Sequence, residues 1–152
     1  MVVGPLDDRR ARILVVDDHQ ELAAVIVELL QGCCARATAV SCAEDAIALL
    51  REQEFELVLC DAFLPAMSGL ELLQVARQHW PRTKVALMSG YGSIESAVEA
   101  MRNGACDYLA KPFSNDALLQ VVTRARALSE SARGFNVSAI AGDVAAAVDS
   151  DD

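Results

Sequence analysis

The sequence predicts an α/β fold with a five-stranded parallel sheet that is doubly wound, meaning that helices cover both of its faces. Short apolar runs alternate five times with segments of helical periodicity, and this alternation is typical of parallel strands joined by right-handed crossovers. Most of the apolar runs lack polar alternation, as expected for a sheet that is buried on both faces. The length of 152 residues suits one domain.

Each strand candidate is a short apolar run bounded by polar or turn-forming residues. The first run, "ILVV", continues directly into two aspartates, and the third run, "LVLC", continues into one. The predicted strands span residues 12–17, 35–40, 57–61, 84–89 and 108–110. The predicted helices between and after them span residues 21–31, 43–53, 69–78, 94–103 and 115–131.

Several helix ends carry local signals. Ser41 lies three residues before Glu44 and resembles a capping box for the second helix. Ser93 precedes "IESAVEAM" and can cap the fourth helix. Gly32 and Gly104 follow helical patterns, where a left-handed residue commonly closes a helix.

Composition excludes several classes of protein. The net charge of -9 argues against nucleic acid or an anionic membrane as the main partner. No apolar segment approaches the roughly 18 residues of a membrane span, and the apolar run at the N-terminus is too short for a signal peptide. The five cysteines show no CxxC spacing, so we expect buried thiols in a cytoplasmic protein and no disulfide framework.

Polar residues end four of the predicted segments. Asp17 and Asp18 end the first strand, Asp61 ends the third, Ser89 ends the fourth, and Lys111 follows the fifth. Ligands of open parallel sheets bind outside the carboxyl ends of the strands. We therefore expect these five side chains to converge at one edge of the sheet.

Carboxylates that cluster at a sheet edge repel each other unless a cation lies among them. Oxygen ligands suit Mg²⁺, and a carboxylate can also act as a nucleophile that forms an aspartyl phosphate. Lys111 and the hydroxyl of Ser89 would supply a cation and a donor for a phosphoryl group. Taken singly, Asp17 and Asp18 also fit a helix cap or a solvated strand end, and Lys111 fits an ordinary surface lysine.

Four motifs in order, "VVDD", "DAFLPAMSG", "MSG" and "KPF", resemble those of a bacterial two-component response-regulator receiver domain. The resemblance covers about residues 11–131, with residues 1–10 as a flexible extension and residues 132–152 as a tail. It implies a flavodoxin-like (βα)5 fold with strand order 2-1-3-4-5. The stretch "AVEAMRNGACDYLAKPF" is most similar to receivers of nitrogen-regulation and symbiotic-fixation transcription factors.

The resemblance also implies a chemistry. Asp61 would accept a phosphoryl group from a histidine kinase or a histidine phosphotransfer protein. Asp18 and Asp61 would ligate Mg²⁺ directly, Asp17 would assist through water, and the backbone carbonyl of Phe63 would be a further ligand. Lys111 would contact the phosphoryl group.

The resemblance also implies a conformational switch that transmits the signal. Ser89 would move towards the phosphoryl group, and Tyr108 occupies the aromatic switch position. A cis bond between Lys111 and Pro112 would aim the lysine at the site. The face of the fourth helix, fifth strand and fifth helix would then bind a downstream protein or form a phosphorylation-dependent homodimer, with "AVEAM" as core and charges at its rim (Arg102, Asp107, Arg124 and Arg126).

Alternatives remain open at this point. A Mg²⁺-dependent phosphohydrolase would need a second acid two residues after Asp61, where Phe63 cannot transfer a proton. A scaffold without phosphorylation would have no need of the complete polar set. His19 is expected to be a partly exposed residue of the first helical turn. Only 21 residues follow residue 131, so the chain is either a single-domain regulator or a fragment of a larger transcriptional regulator.

Two further expectations concern signal lifetime and the tail. The aromatic residues Phe63 and Tyr91 lie two positions after Asp61 and Ser89 and are expected to block the water that hydrolyses the aspartyl phosphate. In the tail, apolar residues over 137–148 recur at helical spacing. The tail is therefore expected to be either a disordered terminus or a short docking helix.

Overall fold

The computed structural model describes residues 11–33, 35–90 and 94–134. Its strands are β1 (Ala11–Val16), β2 (Ala35–Val40), β3 (Leu57–Asp61), β4 (Lys84–Ser89) and β5 (Asp107–Ala110). Its helices are α1 (Gln20–Cys33), α2 (Ala43–Glu52), α3 (Gly69–His79), α4 (Ile94–Arg102) and α5 (Asn115–Gly134). Each predicted element is present, with ends that differ by no more than three residues.

The sheet has the strand order β2-β1-β3-β4-β5, and every neighbouring pair is parallel. The predicted doubly wound fold is therefore confirmed. Because all strands run in the same direction, their carboxyl ends lie at one edge of the sheet.

Two cores lie on opposite faces of the sheet. Ile13 and Val15 of β1 contribute to a core with α1 and α5, whereas Leu14 and Val16 contribute to a core with α2, α3 and α4. Successive side chains of a strand point to opposite faces, so a strand buried on both sides is apolar at every position. This explains the unbroken apolar runs in the sequence.

Two predicted helix-end signals were wrong. The cap residue of α2 is Cys42 and its side chain makes no capping hydrogen bond, so the expected Ser41–Glu44 box does not form because Ser41 lies one residue too early. Gly32 lies inside α1, since the helix continues to Cys33. A capping box that the sequence reading missed begins α3, where Ser68 and Glu71 exchange hydrogen bonds.

Gly104 follows α4 with a φ of 100°, so the left-handed closure predicted at this position is confirmed. The loop between β3 and α3 holds a second left-handed residue, Ala66, with a φ of 65°. A non-glycine residue in this region costs about 1 kcal/mol or more. This loop therefore adopts a strained conformation directly after Asp61.

Gly69 permits a close approach between α3 and the end of β3. A Cβ at Gly69 would overlap the carbonyl oxygen of Asp61 and would lie 2.8 Å from the Cα of Ala62. The amide of Gly69 also donates a hydrogen bond to the carbonyl of Ala62 at 3.0 Å. The start of α3 is thus attached to the backbone that carries Asp61.

Among the described residues, no helix combines the length and the apolar character that crossing a bilayer requires. The expectations for the extension at residues 1–10, the Ser93 cap and the periodic segment 137–148 lie outside the described residues.

Candidate functional site

Three carboxylates meet at the carboxyl edge of the sheet. Asp17 and Asp18 follow β1 and Asp61 ends β3, and one oxygen from each lies within 4.8 Å of the others. Asp17 is 1% exposed and Asp61 is 9% exposed, whereas Asp18 is exposed. The predicted convergence of these carboxylates is confirmed, with Asp18 at the mouth and Asp17 at the base.

Lys111 joins two of the three carboxylates. Its Nζ lies 2.6 Å from Oδ2 of Asp17 and 3.0 Å from Oδ2 of Asp61. Its backbone amide donates to the carbonyl of Ser89 at 2.8 Å, which attaches the segment after β5 to the end of β4. The predicted cis bond between Lys111 and Pro112 is confirmed.

The charge state of Lys111 follows from these contacts. Burial lowers the pKa of the ammonium, but the hydrogen bonds and charges of Asp17 and Asp61 outweigh burial, so the pKa lies above its ordinary value of 10.5. Because the folded pKa is raised, this stabilisation is complete below pH 10.5 and is lost as the pH rises through the folded value. Lys111 is therefore a fixed cation at neutral pH.

Backbone amides orient both buried carboxylates. Oδ1 of Asp17 accepts from the amide of His19 at 2.9 Å, and Oδ1 of Asp61 accepts from the amide of Phe63 at 2.9 Å. Each carboxylate is therefore held by an amide at one oxygen and by Lys111 at the other.

His19 has a structural role that the sequence reading did not identify. It precedes α1, and its Nδ1 accepts from the amide of Leu22 at 3.3 Å. The ring thus caps the helix, and its exposed position agrees with the expectation of a partly exposed residue at the start of the helix. The signal in the sequence was its place directly before the first apolar-periodic residues.

An open cleft of about 350 Å³ leads to Asp61 and is lined by His19, Leu22, Asp61, Phe63, Gly90 and Lys111. Phe63 stands at its mouth with 57% of its surface exposed. Tyr91, the other aromatic predicted to gate water, lies outside the described residues.

The two predicted switch residues differ in environment. Ser89 is fully buried at the end of β4. Tyr108 packs against the core shared by α2, α3 and α4, and its buried hydroxyl has no hydrogen-bond partner among the residues that the structure describes. A buried hydroxyl without a partner costs about 1–3 kcal/mol, so this hydroxyl is a local cost to the stability of the fold.

Two of the described cysteines, Cys60 and Cys106, have thiols with raised pKa values. Burial, reinforced by the neighbouring Asp61, raises the pKa of Cys60 far above its ordinary value. Burial, together with the charge of Asp107, raises the pKa of Cys106 to about 11. Both thiols are protonated at neutral pH and are therefore poor nucleophiles.

The donor set fits a hard divalent cation. Three carboxylates and one ammonium leave the site with two net negative charges, and the donors are oxygens, as Mg²⁺ prefers. Asp18 offers an exposed carboxylate beside the two buried ones. The site can thus bind a cation, and the carboxylate of Asp61 lies next to that position and faces the cleft.

Comparison with known proteins gives a consistent result. The family model of the response regulator receiver domain matches residues 13–123. The chain is 41% identical over 114 residues to the response regulator protein FleR of Pseudomonas aeruginosa, covering 75% of this chain and 24% of FleR. It is 35% identical over 127 residues to the transcriptional regulatory protein ZraR of Salmonella typhimurium, covering 84% and 28%. The chain thus spans about a quarter of the length of these curated relatives.

Solved structures agree with this match. The receiver domain of NtrX from Brucella abortus superimposes with a TM-score of 0.71 at 35% identity, covering 74% of this chain and 96% of that chain. The signal receiver domain of a LuxO repressor protein from Vibrio parahaemolyticus superimposes with a TM-score of 0.75 at 29% identity, covering 83% and 99%.

Proposed function

The chain belongs to the response regulator receiver domain family, and on that premise we propose that it is a phosphorylation-activated signalling module with Asp61 as the phosphoryl acceptor. The observation that carries this proposal is the pairing of Asp61 with Lys111 at 3.0 Å beside an open cleft. The amide of Phe63 holds the same carboxylate, so the nucleophile is oriented before a donor arrives.

Each residue of the site has a separate role in the proposed phosphoryl transfer. The P–N bond of a phosphohistidine breaks as an oxygen of Asp61 forms the new P–O bond. The ammonium of Lys111 neutralises charge on the transferred group, and the hydroxyl of Ser89 is a donor that can turn towards it. The proposed switch is supported by the buried position of Ser89 at the end of β4 and by the Tyr108 hydroxyl, which has no hydrogen-bond partner among the described residues. Ser89 would move towards the phosphoryl group, and the ring of Tyr108 would change position in response.

We propose Mg²⁺ as the cofactor. Asp18 and Asp61 would ligate it directly, Asp17 through water, and the carbonyl of Phe63 would complete the protein ligands. The ion supplies charge neutralisation of the phosphoryl group. Asp17 is suited to the indirect role because its side chain is fully buried, whereas the side chain of Asp61 is 12% exposed and Asp18 is exposed.

The surface around the cleft supports a histidine kinase or histidine phosphotransfer protein as the donor. Phe63 is 57% exposed and Val25, one turn after the cleft residue Leu22 on α1, is 60% exposed. This apolar strip can pack against a helix that presents a phosphohistidine. The same proposal includes a downstream protein target and activity in the cytoplasm.

A phosphorylation-dependent homodimer through α4, β5 and α5 is also proposed. The exposed residues Val98 and Met101 supply an apolar core for it. Asp107 is already bound to Arg124 within the chain at 2.7 Å, so these two charges would have to exchange partners to form the dimer rim. Sedimentation with and without beryllofluoride checks this, and a monomer in both states at high concentration would contradict it.

The direct test of the proposal is phosphorylation by a small donor. Purified protein incubated with acetyl phosphate and Mg²⁺ should gain the mass of one phosphoryl group, and omission of Mg²⁺ should abolish the gain. A protein that only turns over the donor, releasing phosphate without a gain in mass, would be a phosphohydrolase. No gain and no release would indicate a scaffold.

Slow loss of the phosphoryl group is expected, because Phe63 lines the cleft and its ring would obstruct the attacking water while offering it no acceptor. Phe63→Asn should accelerate the decay by up to about tenfold, since positioning of a reactant has effects of this size or larger. The measurement is the fraction of phosphorylated protein over time after removal of the donor. Val25→Asn, at a similarly exposed apolar residue on α1, is the matched control. An unchanged decay in Phe63→Asn would remove Phe63 from this role.

A further inference from the structure

Helix α4 buries less of its surface than the neighbouring helix α3 does. Ala100 is its one buried residue, and Ile94, Val98 and Met101 are 84%, 41% and 49% exposed. By contrast, α3 buries four residues (Gly69, Leu72, Leu73 and Ala76). Ser96 and Ala97, nearer the start of the helix, are half-buried. Because the one fully buried residue lies near the C-terminal end, contacts outside the core contribute strongly to how each end of the helix behaves.

The C-terminal end of α4 is bound to α3 by polar contacts. Arg77 of α3 donates to the backbone carbonyl of Asn103 at 3.0 Å. Gln74, one turn earlier, donates to the side-chain oxygen of Asn103 at 3.4 Å, and Asn103 in turn donates to the carbonyl of Glu99 at 2.8 Å. We name the four residues Gln74, Arg77, Asn103 and Gly104 the α3–α4 clasp.

Gly104 can lie beneath Arg77 in the α3–α4 clasp because it has no side chain. Its φ of 100° is favourable for glycine, and a Cβ at this position would overlap the guanidinium and Cδ of Arg77. The arginine side chain therefore lies directly over the turn that closes α4. The amides of Gly104 and Ala105 donate back to Met101 and Ala100, each at 3.0 Å, so the turn and the last helical residues form one unit under Arg77.

The other end of α3 is attached to the phosphoryl-accepting strand. Gly69 lies against the carbonyl of Asp61 and donates to Ala62 at 3.0 Å. The buried residues Leu72, Leu73 and Ala76 pack α3 on the sheet between these two attachments. Helix α3 is thus a rigid connection between the loop of Asp61 and the C-terminal end of α4.

We propose that Arg77 is a positioning residue that holds the C-terminal end of α4 on α3, so that α4 responds to phosphorylation by movement of its Ile94 end about a fixed Gly104 end. The statement about the response rests on the proposed function, whereas the holding of the turn does not. The exposed apolar residues Ile94, Val98 and Met101 then change their orientation on the surface, while α4 stays attached to the sheet.

Amide hydrogen exchange of the full chain, followed by mass spectrometry, tests the holding of the turn. In unmodified protein, Arg77→Ala should exchange about tenfold faster than wild type over residues 100–105, as expected for the loss of one hydrogen bond from a charged donor. Asn103→Ala, which keeps the carbonyl that Arg77 binds, should have a smaller effect, and Arg77→Lys should restore part of the protection. Arg82→Ala, at an exposed arginine after α3, is the matched control. Equal exchange over 100–105 in Arg77→Ala and wild type would overturn the clasp.

The same experiment with Mg²⁺ and beryllofluoride tests the pivot. In wild type the mimic should alter exchange over residues 94–98 and leave residues 100–105 unchanged, whereas in Arg77→Ala the change should extend to 100–105. A wild-type response that is equal over both segments would overturn the pivot. If the mimic changes amide exchange nowhere in wild type, including residues 57–61, that result would count against the proposed function. The comparison of Arg77→Ala with wild type in the absence of the mimic would still test the α3–α4 clasp.

Discussion

Asp61→Asn is expected to abolish phosphorylation. An amide has nearly the shape of the carboxylate, so the contact with the amide of Phe63 can persist, but it lacks the anionic oxygen that attacks phosphorus. The measurement is hydroxylamine-labile, acid-stable label after incubation with a phosphorylated donor or acetyl phosphate, and we expect it to fall below detection.

The control for this variant is another acid outside the site. Asp116 lies exposed in the first turn of α5, and Asp116→Asn should be labelled as well as wild type. Label that persists at the wild-type level in Asp61→Asn would show that a different residue accepts the phosphoryl group.

Lys111→Ala is expected to destabilise the metal-free protein and to strengthen its response to Mg²⁺. The side chain of Asp17 is fully buried and Lys111 lies 2.6 Å from it, and removal of one partner of a buried pair costs about 3–5 kcal/mol. We expect the lower end of this range, because Lys111 keeps 17% exposure. The net charge of the site changes from two to three negative charges, so Mg²⁺ should bind about tenfold more tightly or better.

Thermal unfolding with and without Mg²⁺ measures both effects. The melting temperature of Lys111→Ala should be lower than that of wild type without metal, and Mg²⁺ should recover a larger part of it, because ligand binding to the folded state raises stability with affinity. The other lysine of the chain, Lys84 at the start of β4, provides the control Lys84→Ala. A smaller Mg²⁺ effect in Lys111→Ala than in wild type would mean that the lysine supports metal binding.

Much of the fold could be predicted because its signals are local. The run Ile13–Val16 is apolar on both faces of β1, and residues 57–60 repeat that pattern in β3. Alternation with helices implies parallel strands, and parallel strands place Asp17, Asp61 and Ser89 at one edge whatever the details of packing. The helix ends were less predictable, since the one-residue difference between Ser41 and Cys42 depends on where the chain leaves β2.

The sequence by itself therefore determined the class of fold, the edge that carries the site and the residue types available there. Only the tertiary structure decided which of them pair. Lys111 lies 94 residues from Asp17 and 50 residues from Asp61 along the chain, and no local pattern shows that it binds the buried Asp17 while Asp18 stays exposed. Arg77 and Gly104 likewise meet across separate elements, as do Asp107 and Arg124. Periodicity records which way a side chain faces within its own element, whereas a partner is set by the packing of two elements against each other.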